Sequence, residues 1–270
     1  MVRLPMTFVR LLAMRTGFMR RFVYWYVPVG AALISAAVFA HGFYSFARGN
    51  TGTAVNVPFG RRVPAASAPV GTIAPIILGD SLARGTGDET GLGIGGRFVD
   101  DLRQRHIKTD NIVNLAINGA RTADLLQQLQ SHNVRVLLAQ SNVIIVSIGG
   151  NDLWGDNWRN SAPPNPDLVM GSVLGQIGRA IASIRDANPR ARIFLIGLYN
   201  PFVSAPMGGM LTPFINEWNA KLVEKFERDP NVVVVQTADL FQWHDRLSMD
   251  RFHPGDEGYA LIARRIADAF

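Results

Sequence analysis

Three residue types, at two widely separated places in this chain, could together turn a serine into a nucleophile. The run Ile76-Ile77-Leu78-Gly79-Asp80-Ser81-Leu82 is apolar until it stops at a small hydroxyl, and glycines follow at 85 and 87. A serine hydroxyl attacks poorly at neutral pH and needs an adjacent base, usually histidine, which a carboxylate orients in turn. Near the other end stands Asp250-Arg251-Phe252-His253, just ahead of an amphipathic segment. A carboxylate and an imidazole three residues apart can share one turn and meet. Attack on an acyl carbon also needs donors for the oxyanion that develops. The stretch 114–122, NLAINGART, offers the backbone N–H of Gly119, and 147–154, SIGGNDLW, offers the side-chain amide of Asn151. Two alternatives stay open on the residues alone. Ser81 could merely cap a helix, and His244-Asp245 would be a rival acid-base pair if the 250–253 turn lay elsewhere.

The elements that must position these groups alternate along the chain. Short β-branched runs occur at Ile73–Leu78, Ile112–Ala116, Val143–Ile148, Arg192–Gly197 and Val232–Gln236; amphipathic segments occur near 95–106, 121–131, 167–187, 211–228 and 256–269. In the last of these, Tyr259, Leu261, Ile262, Ile266 and Phe270 fall on or near one stripe, with Arg264, Arg265 and Asp268 largely off it. Strands alternating with helices predict a parallel sheet covered on both faces. Ligands of such sheets gather at the carboxyl ends of the strands. Ser81, Gly119 and Asn151 each fall just past one of those ends.

With Gly79-Asp80-Ser81-Leu82, Gly119, Gly149-Gly150-Asn151-Asp152 and Asp250-Arg251-Phe252-His253 in this order, the chain from about Ile73 to Phe270 resembles the GDSL, or SGNH, family of serine hydrolases. The resemblance implies a three-layer α/β/α sandwich, the SGNH hydrolase fold, with a flavodoxin-like parallel five-stranded sheet. It implies Ser81 as nucleophile, His253 as base and Asp250 as its orienter, and an oxyanion hole made by the Ser81 and Gly119 amides and the Asn151 side chain. The chemistry expected is two-step acyl transfer to water through an acyl-enzyme, with no cofactor and no metal. A small-molecule, glycan or lipid ester, such as a lysophospholipid or an acetylated cell-wall or matrix sugar, or a thioester would satisfy such a site equally. Acyl (O-acetyl) transfer to, or deacetylation of, cell-envelope carbohydrate would use the same residues. A non-catalytic binding domain is the reading from another class, against which the complete residue set weighs.

Composition bounds the rest. A chain of 270 residues, 48% of them hydrophobic, can bury a sizeable core, and without cysteine it can hold no disulfide and no thiolate site. The net charge of +6 is unevenly placed: residues 1–79 carry eight arginines and no acid, while the 19 basic and 21 acidic residues from Asp80 onward leave that part slightly negative. A nucleic-acid partner loses its main support. Arg20 and Arg21 instead precede residues 22–46, which hold no Lys, Arg, Asp or Glu over 25 positions and are long enough to cross a bilayer. The expected organisation is a basic cytoplasmic segment at 1–21, a transmembrane anchor or signal segment at 22–46, a Pro/Gly/Ala-rich linker at 47–72 and a hydrolase domain at 73–270. The basic flank predicts a single-pass protein with its N-terminus cytoplasmic and the 73–270 domain exported to the periplasm or outside, with Tyr24, Trp25 and Tyr26 at the interface. A secreted form cleaved after Val38-Phe39-Ala40 is the alternative, and an organellar transit peptide a weaker third.

Several other residues invite sharper readings than their surroundings support. The glycines of 85–96 fit neither a P-loop nor a dinucleotide fingerprint, and a mobile loop at the cleft edge is expected there. His41, His106, His132 and His244 show no metal-ligand spacing and read as surface or boundary residues. Asp80 and Asp152 are expected to fix loops by accepting backbone N–H bonds. Trp154 and Trp158, and Met207, Met210 and Phe214, fall in connections that either shape a substrate pocket or cover a sheet edge.

Overall fold

The computed structural model describes residues 22–47, 72–154, 165–203, 208–242 and 244–270. The segment expected at 1–21, nearly all of the linker expected at 47–72, and Trp158 and Met207 lie outside the described residues, as do the side chains of Met210 and His244. The chain divides into two units, Met1–Arg62 and Val63–Phe270.

In the first unit a π-helical turn, Phe22–Tyr26, leads into helix α1, Val27–Ala47. The stretch Tyr24–Tyr44, running from that turn through most of α1, has a mean hydropathy of 1.5. By length and composition this helix can cross a membrane, as an anchor or as a signal segment.

The second unit is built on a parallel sheet of five strands, β1 (Pro75–Gly79), β2 (Val113–Asn114), β3 (Val143–Ser147), β4 (Arg192–Ile196) and β5 (Val232–Val235), in the order β2-β1-β3-β4-β5. This is the flavodoxin-like order, which reverses direction between β1 and β3 and opens a crevice there. Side chains alternate across the sheet with the period of two that strands impose. Ile76, Leu78, Ile144, Val146, Ile193 and Leu195 enter one core, and Ile77, Val143, Ile145, Phe194 and Ile196 the other. The first core is closed by α4 (Thr122–Gln128), α5 (His132–Gln140), α7 (Pro166–Ala187) and α8 (Gly208–Phe226), the second by α3 (Gly93–Gln104) and α9 (Asp256–Asp268). Two short helices, α2 (Ser81–Arg84) and α6 (Gly150–Trp154), stand directly after β1 and β3.

Two expectations need correction. The strand expected over Ile112–Ala116 is only Val113–Asn114, an exposed edge piece. Asn114 turns its side chain inward, its Nδ2 donating to the Ala83 carbonyl at 3.2 Å and its Oδ1 accepting from Ala116 N at 3.0 Å, which bends the backbone out of strand geometry. The helix expected to reach residue 131 stops at Gln128, and Ser131, extended at φ −65° and ψ 128°, opens α5 instead.

Candidate active site

Strand β1 ends at Gly79 with φ +129°, where an added Cβ would lie 1.7 Å from the Ser147 carbonyl oxygen. Only glycine allows the two strand ends to come this close. Asp80 then leaves the strand: its N–H donates to the Ser147 carbonyl at 2.9 Å, and its Oδ1 accepts from Leu82 N and Ser147 Oγ, both at 3.1 Å. Asp80 therefore caps α2, the role left open for Ser81, and does so by accepting a backbone N–H as expected. Burial pushes the Asp80 carboxyl up to about 7, against the pull of Ser147 and the first amides of α2.

Ser81 opens α2, and its Oγ lies 2.8 Å from His253 Nε2. His253 Nδ1 is 2.7 Å from Asp250 Oδ2. With Nδ1–H donating to the carboxylate, Nε2 is left as the acceptor for the serine hydroxyl. The other carboxylate oxygen, Oδ1, accepts from Ser248 Oγ at 2.7 Å, Phe252 N at 2.8 Å and His253 N at 2.9 Å. Burial works to raise the Asp250 pKa, but these bonds outweigh it and hold the carboxyl down at about 2. The turn is tight enough to put Arg251 at φ +55°, a conformation that suits glycine better. The His253 side chain is only 16% exposed and that of Asp250 44%, so the imidazole is sheltered while the carboxylate is half open.

The loop after β2 is tied to the same end of the sheet. Ile117 N donates to the Gly79 carbonyl at 2.9 Å, and Thr86 Oγ1 to Asn118 Oδ1 at 3.0 Å. Gly119, at φ +76°, has open space where a Cβ would be. Asn151, in α6, donates through Nδ2 to the Ala120 carbonyl at 2.9 Å, which leaves its second amide hydrogen available. Asp152 accepts from Thr122 N and Thr122 Oγ1, at 2.9 and 2.6 Å, and fixes the start of α4 as expected. Among the described residues neither Ser81 N nor Gly119 N donates to another protein group.

The structure thus joins Ser81, His253 and Asp250 in one hydrogen-bonded row, and links Asn151 to the Gly119-Ala120 turn. Of the rival pair His244-Asp245, Asp245 is exposed. His41, His106 and His132 are exposed as well. Trp154 lies against Phe214, ring centroids 5.7 Å apart. Among the described residues no three His, Asp or Glu side chains converge to hold a metal ion. Of the glycine-rich segment at 85–96, expected to be a mobile loop, residues 93–96 open α3 and 85–92 are tethered on both sides. The Asp88 carboxylate accepts from Arg97 Nη2 at 2.9 Å and from Thr90 Oγ1 at 2.8 Å, Glu89 N donates to Asp256 Oδ1 at 2.9 Å, and Tyr259 Oη donates to the Thr86 carbonyl at 2.7 Å.

Sequence reading missed Ser248 and Tyr199, which bond to the turn carrying Asp250 and His253, and Ser147 and Tyr259, which bond to Asp80 and Thr86 on either side of Ser81. Only Ser248, two residues before Asp250, carried a local signal, the short-range reach of a serine hydroxyl. The others come from elements far away in the chain.

Residues 77–261 match the GDSL-like Lipase/Acylhydrolase family. The chain is 29% identical over 201 residues to the uncharacterized protein YpmR of Bacillus subtilis (strain 168), across 71% of this chain and 79% of that protein. It is 24% identical over 210 residues to the spore germination lipase LipC of Bacillus licheniformis, across 73% and 96%. Among solved structures, the lipase Lip_vut3 from a goat rumen metagenome superposes with a TM-score of 0.65 at 23% identity, covering 73% of this chain and 97% of that one. A Clostridium thermocellum family 3 carbohydrate esterase does so with a TM-score of 0.53 at 18% identity, covering 73% and 94%. Sheet order, strand-end loops and the family match over most of the second unit agree, and the chain belongs to the GDSL-like lipase/acylhydrolase family of ester-bond hydrolases.

Proposed function

We propose that this protein cleaves acyl esters by two-step acyl transfer, with Ser81 as nucleophile, His253 as general base and Asp250 as the carboxylate that orients and supports the imidazole. The observation that carries this reading is the unbroken pair of short contacts, Asp250 Oδ2 to His253 Nδ1 at 2.7 Å and His253 Nε2 to Ser81 Oγ at 2.8 Å. As Ser81 Oγ bonds to the ester carbonyl carbon, its proton passes to His253 Nε2, and the carbonyl electrons move onto oxygen. That oxyanion is received by the N–H groups of Ser81 and Gly119 and by the second amide hydrogen of Asn151. Collapse breaks the bond to the alcohol oxygen, which takes the proton from His253. Water, deprotonated by the same imidazole, then attacks the acyl-Ser81 ester and releases the acid and the free hydroxyl. Ionised Asp250 supports the imidazolium formed in each half.

The substrate is a glycan or lipid ester. Deacetylation of, or acetyl transfer to, cell-envelope carbohydrate is a second reading, supported by the carbohydrate esterase among the fold neighbours. Residues 22–46 serve as an uncleaved anchor with the N-terminus cytoplasmic, and the hydrolase domain at 73–270 is exported; the acid-free, arginine-bearing flank supports this orientation. Ser81→Ala in the full chain tests the reading: hydrolysis of a short p-nitrophenyl ester should vanish while circular dichroism stays unchanged, and retained turnover would overturn it. Rates on acetylated xylan against a lysophospholipid decide between the substrate classes.

A further inference from the structure

The turn that carries His253 is dense in internal hydrogen bonds. Ser248 N donates to the His253 carbonyl at 2.8 Å, Arg251 N to the Ser248 carbonyl at 2.9 Å, and Asp250 collects Ser248 Oγ, Phe252 N, His253 N and His253 Nδ1. From outside the turn, the Phe202 ring lies against that of Phe252, centroids 5.9 Å apart, and Tyr199, three positions beyond the end of β4, donates its Oη to the Phe252 carbonyl at 2.7 Å. The Phe252–His253 peptide is therefore held at both ends, its C=O by Tyr199 and its N–H by Asp250 Oδ1. The Tyr199 ring is buried and stacked on Phe241 with centroids 4.1 Å apart, which fixes both of its side-chain torsions. Burial also keeps its hydroxyl protonated, and so a donor, throughout the working pH range.

We propose that Tyr199 is a positioning residue for the ester-cleaving reaction: it registers the Asp250–His253 pair against the sheet end that presents Ser81. This inference rests on the Ser81-His253-Asp250 reading above. Without the Tyr199 bond the turn is freer to shift relative to β1, and a shift of a few tenths of an ångström at His253 lengthens the contact to Ser81. By drawing on the Phe252 carbonyl, the Tyr199 hydroxyl also polarises the peptide toward a stronger N–H donor to Asp250, since hydrogen bonds in a chain reinforce one another. Removing the hydroxyl loosens the row without touching the groups that would bind substrate, so the loss belongs in kcat and not in KM.

The test is Tyr199→Phe in the full-length protein. Turnover of a p-nitrophenyl ester should fall about tenfold, the scale of one hydrogen bond lost from the transition state, with KM within about twofold of wild type. Phosphonylation of Ser81 by a fluorophosphonate should slow by the same factor. In an Asp250→Asn background, where the row is already broken, Tyr199→Phe should slow phosphonylation by less than about twofold, because residues acting as a unit are not additive. Phe241→Leu keeps the hydroxyl but removes the ring stacked on it, and should give a kcat between those of wild type and Tyr199→Phe. A folded Tyr199→Phe enzyme with full kcat, a change confined to KM, an undiminished loss in the Asp250→Asn background, or wild-type kcat in folded Phe241→Leu would each overturn the proposal. A Tyr199→Phe chain that does not fold would also overturn it, since the hydroxyl would then serve the fold. Loss of activity in Ser81→Ala together with full activity in Tyr199→Phe would refute this inference alone and leave the function standing.

Discussion

Asp250→Asn is a nearly isosteric change whose effect follows from which oxygen does what. Among the described residues, Oδ1 accepts three donors, Ser248 Oγ and the amides of Phe252 and His253, while Oδ2 accepts only His253 Nδ1. An asparagine amide has one acceptor oxygen to offer. Turning its NH2 toward the three donors would leave them without an acceptor, at about 1–3 kcal/mol for each that water does not reach. The carbonyl therefore stays on the Oδ1 side, and the NH2 faces His253. Nδ1 must then accept, Nε2 must carry the hydrogen, and the imidazole presents a donor to Ser81 where a base is required. The expected result is a kcat lower by about 10⁴-fold, or about 5 kcal/mol, on the scale of a serine hydrolase with its imidazole in the wrong tautomer. Initial rates on p-nitrophenyl acetate, corrected for buffer hydrolysis, measure it, with thermal unfolding as the check on the fold. An Asp250→Asn enzyme within tenfold of wild type would refute the reasoning, because His253 would then work without the carboxylate.

Asn151→Ala should lower kcat by about 10²–10³ through loss of one oxyanion donor; an unchanged rate on the same ester would make Asn151 a turn residue that only holds the Ala120 carbonyl. Asp80 titrates near 7 in the fold against an ordinary 3.8, so the folded state favours its protonated form and its contribution to stability is full below about pH 4 and lost as pH rises through about 7. Thermal unfolding should show the melting temperature falling from pH 5 to pH 8, with a smaller fall in Asp80→Asn. Asp250 runs the other way, its contribution present above 3.8 and lost only as pH drops through about 2; Ser248→Ala removes one of the bonds that hold the carboxyl down, so the acid loss of thermal stability should begin at a higher pH in that variant. Protein isolated from its own membranes should retain residues 22–46 and require detergent for release, whereas a soluble mature chain starting at His41 would identify a cleaved signal.

The parallel sheet was legible because its inner strands are buried on both faces and so read as nearly continuous apolar runs, as in Val143–Ser147 and Arg192–Ile196. The edge strand β2 was overread for the complementary reason: Ile112 and Leu115 are apolar, but Asn114 diverts the backbone after two residues. Helix α5 went unread because His132, Asn133 and Gln140 dilute its apolar positions Val134 and Leu138. At the candidate site, Ser81, Gly119 and Asn151 stood out by residue type and strand-end position, and Asp250 and His253 by their spacing of three ahead of the last helix; the structure puts His253 within hydrogen-bond reach of Ser81 and Asp250. The glycine-rich loop looked mobile because its ties, Tyr259 to Thr86 and Asp256 to Glu89, bridge 167 residues or more of chain. Tyr199 was hidden likewise, since nothing local marks a hydroxyl that acts 53 residues away.

The most direct test of the central claim is where a covalent serine probe lands. The full-length protein, solubilised in detergent, is treated with a fluorophosphonate while ester turnover is followed, then digested and mapped by mass spectrometry. One adduct per chain is expected on Ser81, appearing in step with the loss of turnover and absent from Ser81→Ala. An adduct on another serine that tracks the loss of activity, or full turnover with Ser81 labelled, would contradict the account.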